Sequence, residues 1–188
     1  MIKSIITAIN LEEFYKEIRT QQERAQGNDY CSHHDMVKSV LSDGDVYKEL
    51  GVHQGASLAS AMLNGAKTVH LVDMTLAFYR ENSKLFEDYA RKNDITIRMD
   101  EKRSEDPTTK SECDILMIDS LHRWSHTKKE LALHANRVKK AIVFHDTAKC
   151  NGNPSTIGPG IREWVKDKPW KITAEVKTGV GAMMIERI

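Results

Sequence analysis

The sequence predicts one α/β domain on a doubly wound, mostly parallel sheet of seven strands, in the order 3-2-1-4-5-7-6 with one antiparallel strand at the C-terminus. Three observations predict it. Residues 45–73, DVYKELGVHQGASLASAMLNGAKTVHLVD, read as strand, glycine-framed turn, helix and strand. The continuous apolar runs Asp114–Ile118 and Ala141–Phe144 fit central parallel strands buried on both faces. The ending, two strand-like runs joined across Thr178-Gly179-Val180-Gly181, reads as an antiparallel hairpin.

Size and charge narrow the class. A chain of 188 residues suits one such domain and is too short for two. Its 28 basic and 27 acidic residues leave +1, so no overall field holds a polyanion, and a large nucleic-acid footprint is not expected. Cys31, Cys113 and Cys150 form no C-x-x-C pair, which fits a reducing compartment. No apolar run approaches membrane-spanning length, and Met1–Asn10 lacks an export signature, so a cytoplasmic protein without membrane contact is expected. A homodimer is compatible with this composition.

Residues 1–44 read as helices that cap the domain formed by 45–188. Asn10 is placed to cap a helix with Glu13 at the capping-box position and Leu11, Phe14, Tyr15 and Ile18 on one face. A second helix, about 32–42, carries Met36, Val37, Val40 and Leu41 inward and stops at Gly44; His33 and His34 fall in its first turn, where a solvated position is the ordinary outcome. After Asp73, Phe78, Leu85, Phe86 and Tyr89 mark the buried face of one helix. A third strand at 95–99 leads into a charged loop, 100–112. After the fourth strand comes a helix with Leu131, Ala135 and Val138 inward, then the fifth strand. Residues 148–160, rich in Gly, Pro, Asn and Ser, read as a substrate-facing flap before a short helix at 161–166.

The first crossover carries the chemistry. Gly51 lets the chain leave the strand, Gly55 lets a ligand approach the main chain, and the helix that follows presents free N–H groups. Asp73, 22 residues beyond Gly51, is placed to accept from a ribose diol. The spacing G-x-x-x-G with Glu49 two places before it, and Ser57 two places after, resembles motif I of the class I S-adenosylmethionine (SAM) methyltransferases. An acid there suits a ligand with an ammonium and a sulfonium better than a pyrophosphate. The resemblance implies SAM held by Glu49, Gly51, Gly55, Ala56, Ser57, Asp73, Met74, Ser104 and Asp119, with Arg103 and Glu105 as further loop candidates.

The fourth and fifth strands end in Asp119-Ser120-Leu121-His122 and His145-Asp146-Thr147, at the edge where open α/β sheets bind ligands. IDSLHRWSHTKKELALHANRVKKAIVFHDT is similar to the I-D-G-x-H-x-Y, helix, V-x-H-D-T signature of the small SAM-dependent O-methyltransferase-like family that includes cephalosporin hydroxylase and macrolide sugar methyltransferase relatives. That resemblance implies a Rossmann-like fold and methyl transfer to an oxygen of a small-molecule acceptor. Asp119, His122, His145 and Asp146 would position or deprotonate the acceptor, and Asp119 with Asp146 would hold Mg²⁺ or another divalent cation. The chain departs from the pattern at Ser120-Leu121, where Gly-Asp is common, and at His145-Asp146, where metal-dependent members often carry Asp-Asp. Without a metal, His122 or His145 is the candidate general base. Two alternatives stay open: a SAM-fold binding or assembly protein without transfer activity, and a nicotinamide-dependent oxidoreductase.

Overall fold

A computed structural model describes residues 6–150 and 152–188. Residues 1–5, half of the stretch read for an export signal, and Asn151 of the expected flap lie outside the described residues. The main sheet contains β1 (Val46–Leu50), β2 (Thr68–Asp73), β3 (Thr96–Glu101), β4 (Cys113–Ile118), β5 (Val138–His145), β8 (Trp170–Val176) and β9 (Ala182–Arg187). A separate two-residue pair, β6 (Lys149–Cys150) with β7 (Asn153–Pro154), lies between β5 and β8 in the chain. The order is β3-β2-β1-β4-β5-β9-β8, which is the expected 3-2-1-4-5-7-6 once the small pair is set aside. Only β9 runs against its neighbours, pairing antiparallel with both β5 and β8.

Register, more than order, builds the site. Leu50 stands opposite Val72 on one side and Ile118 on the other, and Ile118 opposite Phe144. The four strands therefore end level, and Gly51, Asp73, Asp119 and His145 emerge together at the carboxyl edge.

Side chains alternating across the sheet sort into two cores. Tyr47, Leu71, Met117 and Val143 face α1 (Leu11–Gln26), α2 (Ser32–Val40), α3 (Ala56–Leu63) and α5 (Ser83–Asn93). Leu50, Leu116, Ile142 and Ile185 face α6 (Trp124–His134) and α7 (Ile157–Trp164). The N-terminal helices join the first layer. Asn10 caps α1 by accepting from the Glu13 N–H at 2.9 Å, Glu13 reaches back to the Ile9 N–H at 3.1 Å, and Phe14 meets Phe86 edge-on at 5.3 Å. Among the described residues no helix is long and apolar enough to cross a membrane.

Several expected elements shift. The single helix after Asp73 is two, α4 (Ala77–Arg80) and α5, and Phe78 is 39% exposed instead of buried because it falls on the short one. The flap is largely ordered: α7 begins at Ile157, so Gly158-Pro159-Gly160 are helical. Those glycines serve packing, since a Cβ at Gly160 would overlap the Trp124 ring and one at Gly158 the Thr147 carbonyl. The charged loop after β3 is also tethered. Lys48, fully buried in the central strand, donates to the Thr109 carbonyl and to Ser111 Oγ at 3.2 Å, while the ring of His134 donates to the Ser104 carbonyl at 2.9 Å.

Candidate cofactor and acceptor site

A cavity of about 550 Å³ opens at the carboxyl edge, and both Asp73 and Asp119 line it. At one end lie Glu49, Gly51, Ala56, Ser57, Met74 and Ser104, all expected as cofactor contacts. Gly55 and Asp146 were expected at the site and do not line the cavity. Gly55 is the left-handed N-cap of α3 (φ 83°), and the direction of its missing Cβ points at Phe86 and Tyr79, so protein and not ligand fills that space. Gly51 (φ 89°) is likewise demanded by protein, because a Cβ there would fall on the main chain of Asp119 at the tip of β4.

Asp73 does more than wait for a ribose. Its Oδ2 accepts from the N–H groups of Val52 at 2.7 Å and His53 at 3.2 Å, and Oδ1 from Thr75 N–H at 3.1 Å. The carboxylate thus shapes the glycine turn, holding His53 at φ 48°, while each oxygen keeps room for a further donor. Glu49 is buried and accepts from the Ser57 hydroxyl and from Tyr47 Oη at 3.2 Å. Burial pushes its carboxyl up to about 8 against the lowering effect of those bonds. Such a group suits an ammonium ligand, whose charge restores the carboxylate. Cavity, acid, ribose-facing carboxylate and exposed Met74 together fit a sulfonium nucleoside.

Beyond Gly51 the cavity reaches a cluster of two acids and two imidazoles. His145 Nδ1 lies 3.2 Å from Asp119 Oδ1 and 3.5 Å from Asp146 Oδ2; His122 places Nδ1 2.9 Å from Asp146 Oδ2 and Nε2 3.4 Å from Asp119 Oδ1. Burial pulls His145 down, but Asp119 and Asp146 outweigh it and raise the imidazole to about 10. Bonds to Asp119 and then Asp146 lift His122 to about 11. Burial raises Asp119, yet His145 and His122 hold it well below the usual carboxylate range. In this arrangement the two carboxylates favour the cationic form of both histidines, so either would serve as a general base only after giving up that proton. Asp146, with φ 53°, acts through these rings and does not meet the cavity itself. One donor atom each from Asp119, His145 and Asp146 lie within 4.8 Å of one another. Two carboxylates with an imidazole fit Mn²⁺ or Zn²⁺ better than Mg²⁺.

His126 with Glu130 behind it, and Gln22, Tyr30, His33 and His34 on the cap, were not among the expected site residues, although His33 and His34 were marked at a helix start. On the loop side, His126 Nε2 lies 3.0 Å from Ser104 Oγ and 3.2 Å from Glu130 Oε1, and Glu130 accepts from Ser120 Oγ at 2.5 Å. Both Ser104 and Glu130 meet the same ring nitrogen, so this is no serine–histidine–acid relay. The spacing of His126 and Glu130, four apart on one helical face, was the available signal. On the cap side, Gln22, Tyr30, His33 and His34 line the cavity. His33 and His34 are buried, not solvated, because the start of α2 folds over the tip of β5: the His33 and His145 rings lie 4.1 Å apart.

No protein-family model matches the chain, and no curated protein matches it. Solved structures do share its fold. An rRNA methylase, provisionally so described, from Clostridium thermocellum superposes with a TM-score of 0.65 at 13% identity, covering 84% of this chain and 94% of its own. A ribosomal protein L11 methylase from Lactobacillus delbrueckii subsp. bulgaricus gives 0.59 at 14% identity, covering 85% and 79%. A Streptococcus pneumoniae protein, provisionally described as a tRNA (m1A22) methyltransferase and solved with S-adenosyl-L-methionine, gives 0.55 at 15% identity, covering 83% and 72%. The chain has the fold of class I SAM methyltransferases. Nothing among these matches ties it to the cephalosporin hydroxylase and macrolide sugar methyltransferase relatives.

These neighbours overturn the expectation of a small-molecule acceptor without a nucleic-acid footprint. The same fold serves proteins described as acting on rRNA and tRNA. Net charge alone does not decide the matter, since phosphates respond to local fields and not to a sum over the whole surface. Here Lys102 and Arg103 on the loop, Arg123 at the N-cap of α6, and Lys128 and Lys129 on α6 are exposed on elements that also wall the cavity.

Proposed function

We propose that this protein binds SAM at the Glu49–Asp73 end of the cavity and transfers its methyl group to RNA. The observation that carries the reading is the shared cavity: the acid and glycine turn of the first crossover open onto the same space as Asp119 and His145. The neighbours' descriptions supply the acceptor class. Bound SAM brings an electrophilic methyl on a sulfonium; the chain's residues do the rest. Glu49 takes the ammonium, Asp73 the ribose hydroxyls, and exposed Met74 and Leu121 offer apolar surface for the base. Asp119, with Asp146 behind it through His122 and His145, faces the acceptor: as an acceptor lone pair takes the methyl from sulfur and the C–S bond breaks, its carboxylate stabilises the positive charge developing on the acceptor, whose proton then passes to solvent. A divalent ion, in this reading, would sit on Asp119, His145 and Asp146 beside the acceptor atom.

The test is calorimetry with SAM, followed by transfer of labelled methyl to total RNA and to a protein fraction, with and without chelator. SAM binding and label in RNA are expected. Binding of NAD in place of SAM, or label only in protein, would overturn the reading.

Glu49 gives a sharper expectation. Its carboxyl is largely protonated at pH 7 in the free protein, and an ammonium ligand favours the ionised form. Binding should therefore release close to one proton, and affinity should rise as pH increases from about 6 to 7.5. Calorimetry in buffers of different ionisation enthalpy reads the proton; Glu49→Gln should abolish its release and weaken SAM binding about tenfold, a loss of roughly 1.4 kcal/mol.

A further inference from the structure

The reading above gives the cap end of the cavity no part in holding the cofactor. We propose that His33 and His34 form a recognition site for the uncharged, hydrogen-bond-donating edge of a nucleobase, which rests on the RNA reading above. Four observations support it. First, position: the rings of His34, His33 and His145 follow one another at 4.2 and 4.1 Å, and His145 meets Asp119 at 3.2 Å, so the pair continues directly from the acids that face the reacting methyl. Second, tautomer: His33 Nδ1 lies 3.1 Å from the Tyr30 carbonyl oxygen, which can only accept, so Nδ1 carries the hydrogen. In the neutral ring Nε2 is then left as an acceptor. Third, an unmet need: His34 Nδ1 is buried with no hydrogen-bond partner, although its ring lines the cavity. Buried polar atoms ordinarily have a partner, and a small ring movement on ligand entry would supply one.

Fourth, charge. No lysine or arginine is among the residues lining this end, and Arg19 beneath it is held by both oxygens of Asp35 at 2.7 Å each. No carboxylate bonds to either histidine among the described residues. Among the described residues a phosphate would find no lysine or arginine in the lining here, whereas a base drawn out of its stack presents N–H donors and a flat face to imidazoles. Tyr30, whose ring stands edge-on to His145 at 4.9 Å, adds an aromatic wall.

The experiment uses the whole protein with ¹⁵N-labelled histidine, with and without saturating S-adenosylhomocysteine, titrated with adenosine, guanosine, cytidine, uridine and inorganic phosphate. At least one nucleoside is expected to shift the His33 and His34 imidazole signals, and phosphate to leave them in place. His33→Phe and His34→Phe should each weaken that nucleoside about tenfold, with S-adenosylhomocysteine affinity unchanged within twofold; His33→Gln, which keeps an acceptor, should recover part of the loss. In methyl transfer the same variants should raise KM for RNA more than they lower kcat. Nucleosides that leave both signals unmoved, binding indifferent to both substitutions, or shifts produced by phosphate would overturn the proposal. Failure to bind S-adenosylhomocysteine would instead overturn the cofactor reading, since the nucleoside signals are read without it as well.

Discussion

Gly51→Ala is expected to cut SAM affinity by roughly 100-fold or more, equivalent to about 2.7 kcal/mol of binding. The substitution adds one methyl where the backbone sits at φ 89°, itself a cost of about 1–3 kcal/mol for a side-chain-bearing residue. The larger effect is positional. The new Cβ would overlap the Asp119 carbonyl, coming within 2.6 Å of its carbon and 2.8 Å of Ser120 Cα. That main chain cannot slide aside freely, because the Asp119 N–H donates to the Leu50 carbonyl at 2.8 Å and the Gly51 N–H to Val72 at 2.9 Å. Either β1 and β4 part at their tips or the glycine turn moves, and both routes displace Glu49, Asp73 or Asp119 from their common cavity. Gly55→Ala meets the end of the Phe86 ring instead, which can swing, so it should be milder. Calorimetry with SAM and thermal melting of the two variants check the contrast. An affinity for Gly51→Ala within threefold of the parent would count against the cavity as the cofactor seat.

Much of the scaffold for this argument was legible in the residues. Apolar runs at 114–118 and 141–144 fixed two central strands, and the acid–glycine spacing from Glu49 to Ser57 fixed the crossover, because both depend on local pattern. What stayed hidden depends on long-range contacts. His33 and His34 look like a helix start meeting water until the tip of β5, more than a hundred residues on, turns out to pack against them: His145 Nε2 reaches the Tyr30 carbonyl at 3.2 Å. The polar stripe of α6 went unread for a related reason. Leu131 and Ala135 do face inward, yet Glu130 and His134 beside them are just as buried, bonded to Ser120 and to the Ser104 carbonyl, partners that no helical period announces. Gly55 shows the opposite failure, a position correctly marked as special whose missing side chain makes room for Phe86 and not for a ligand.

Asp119→Asn should be the most damaging substitution among the acids, lowering methyl transfer about 100-fold or more, the scale on which a proton-handling group contributes. Its loss should also appear in stability, in chelator-treated protein, through His145. The folded imidazole sits at about 10 against an ordinary 6.5, so its pairing contributes stability that is complete below about pH 6.5 and is lost as pH climbs through about 10. A neutral amide in place of the Asp119 carboxylate would no longer balance that buried cation, leaving Asp146 at 3.5 Å as its acid partner. The melting-temperature gap between parent and variant should therefore be widest near pH 6 to 7 and narrow steadily toward pH 10. Asp146→Asn offers the comparison, since Asp146 reaches the cavity only through His122 and His145 and should cost less turnover while still flattening the pH profile. Equal turnover losses for the two variants would mean that the cluster acts as one unit, with Asp119 owing nothing to its place against the cavity.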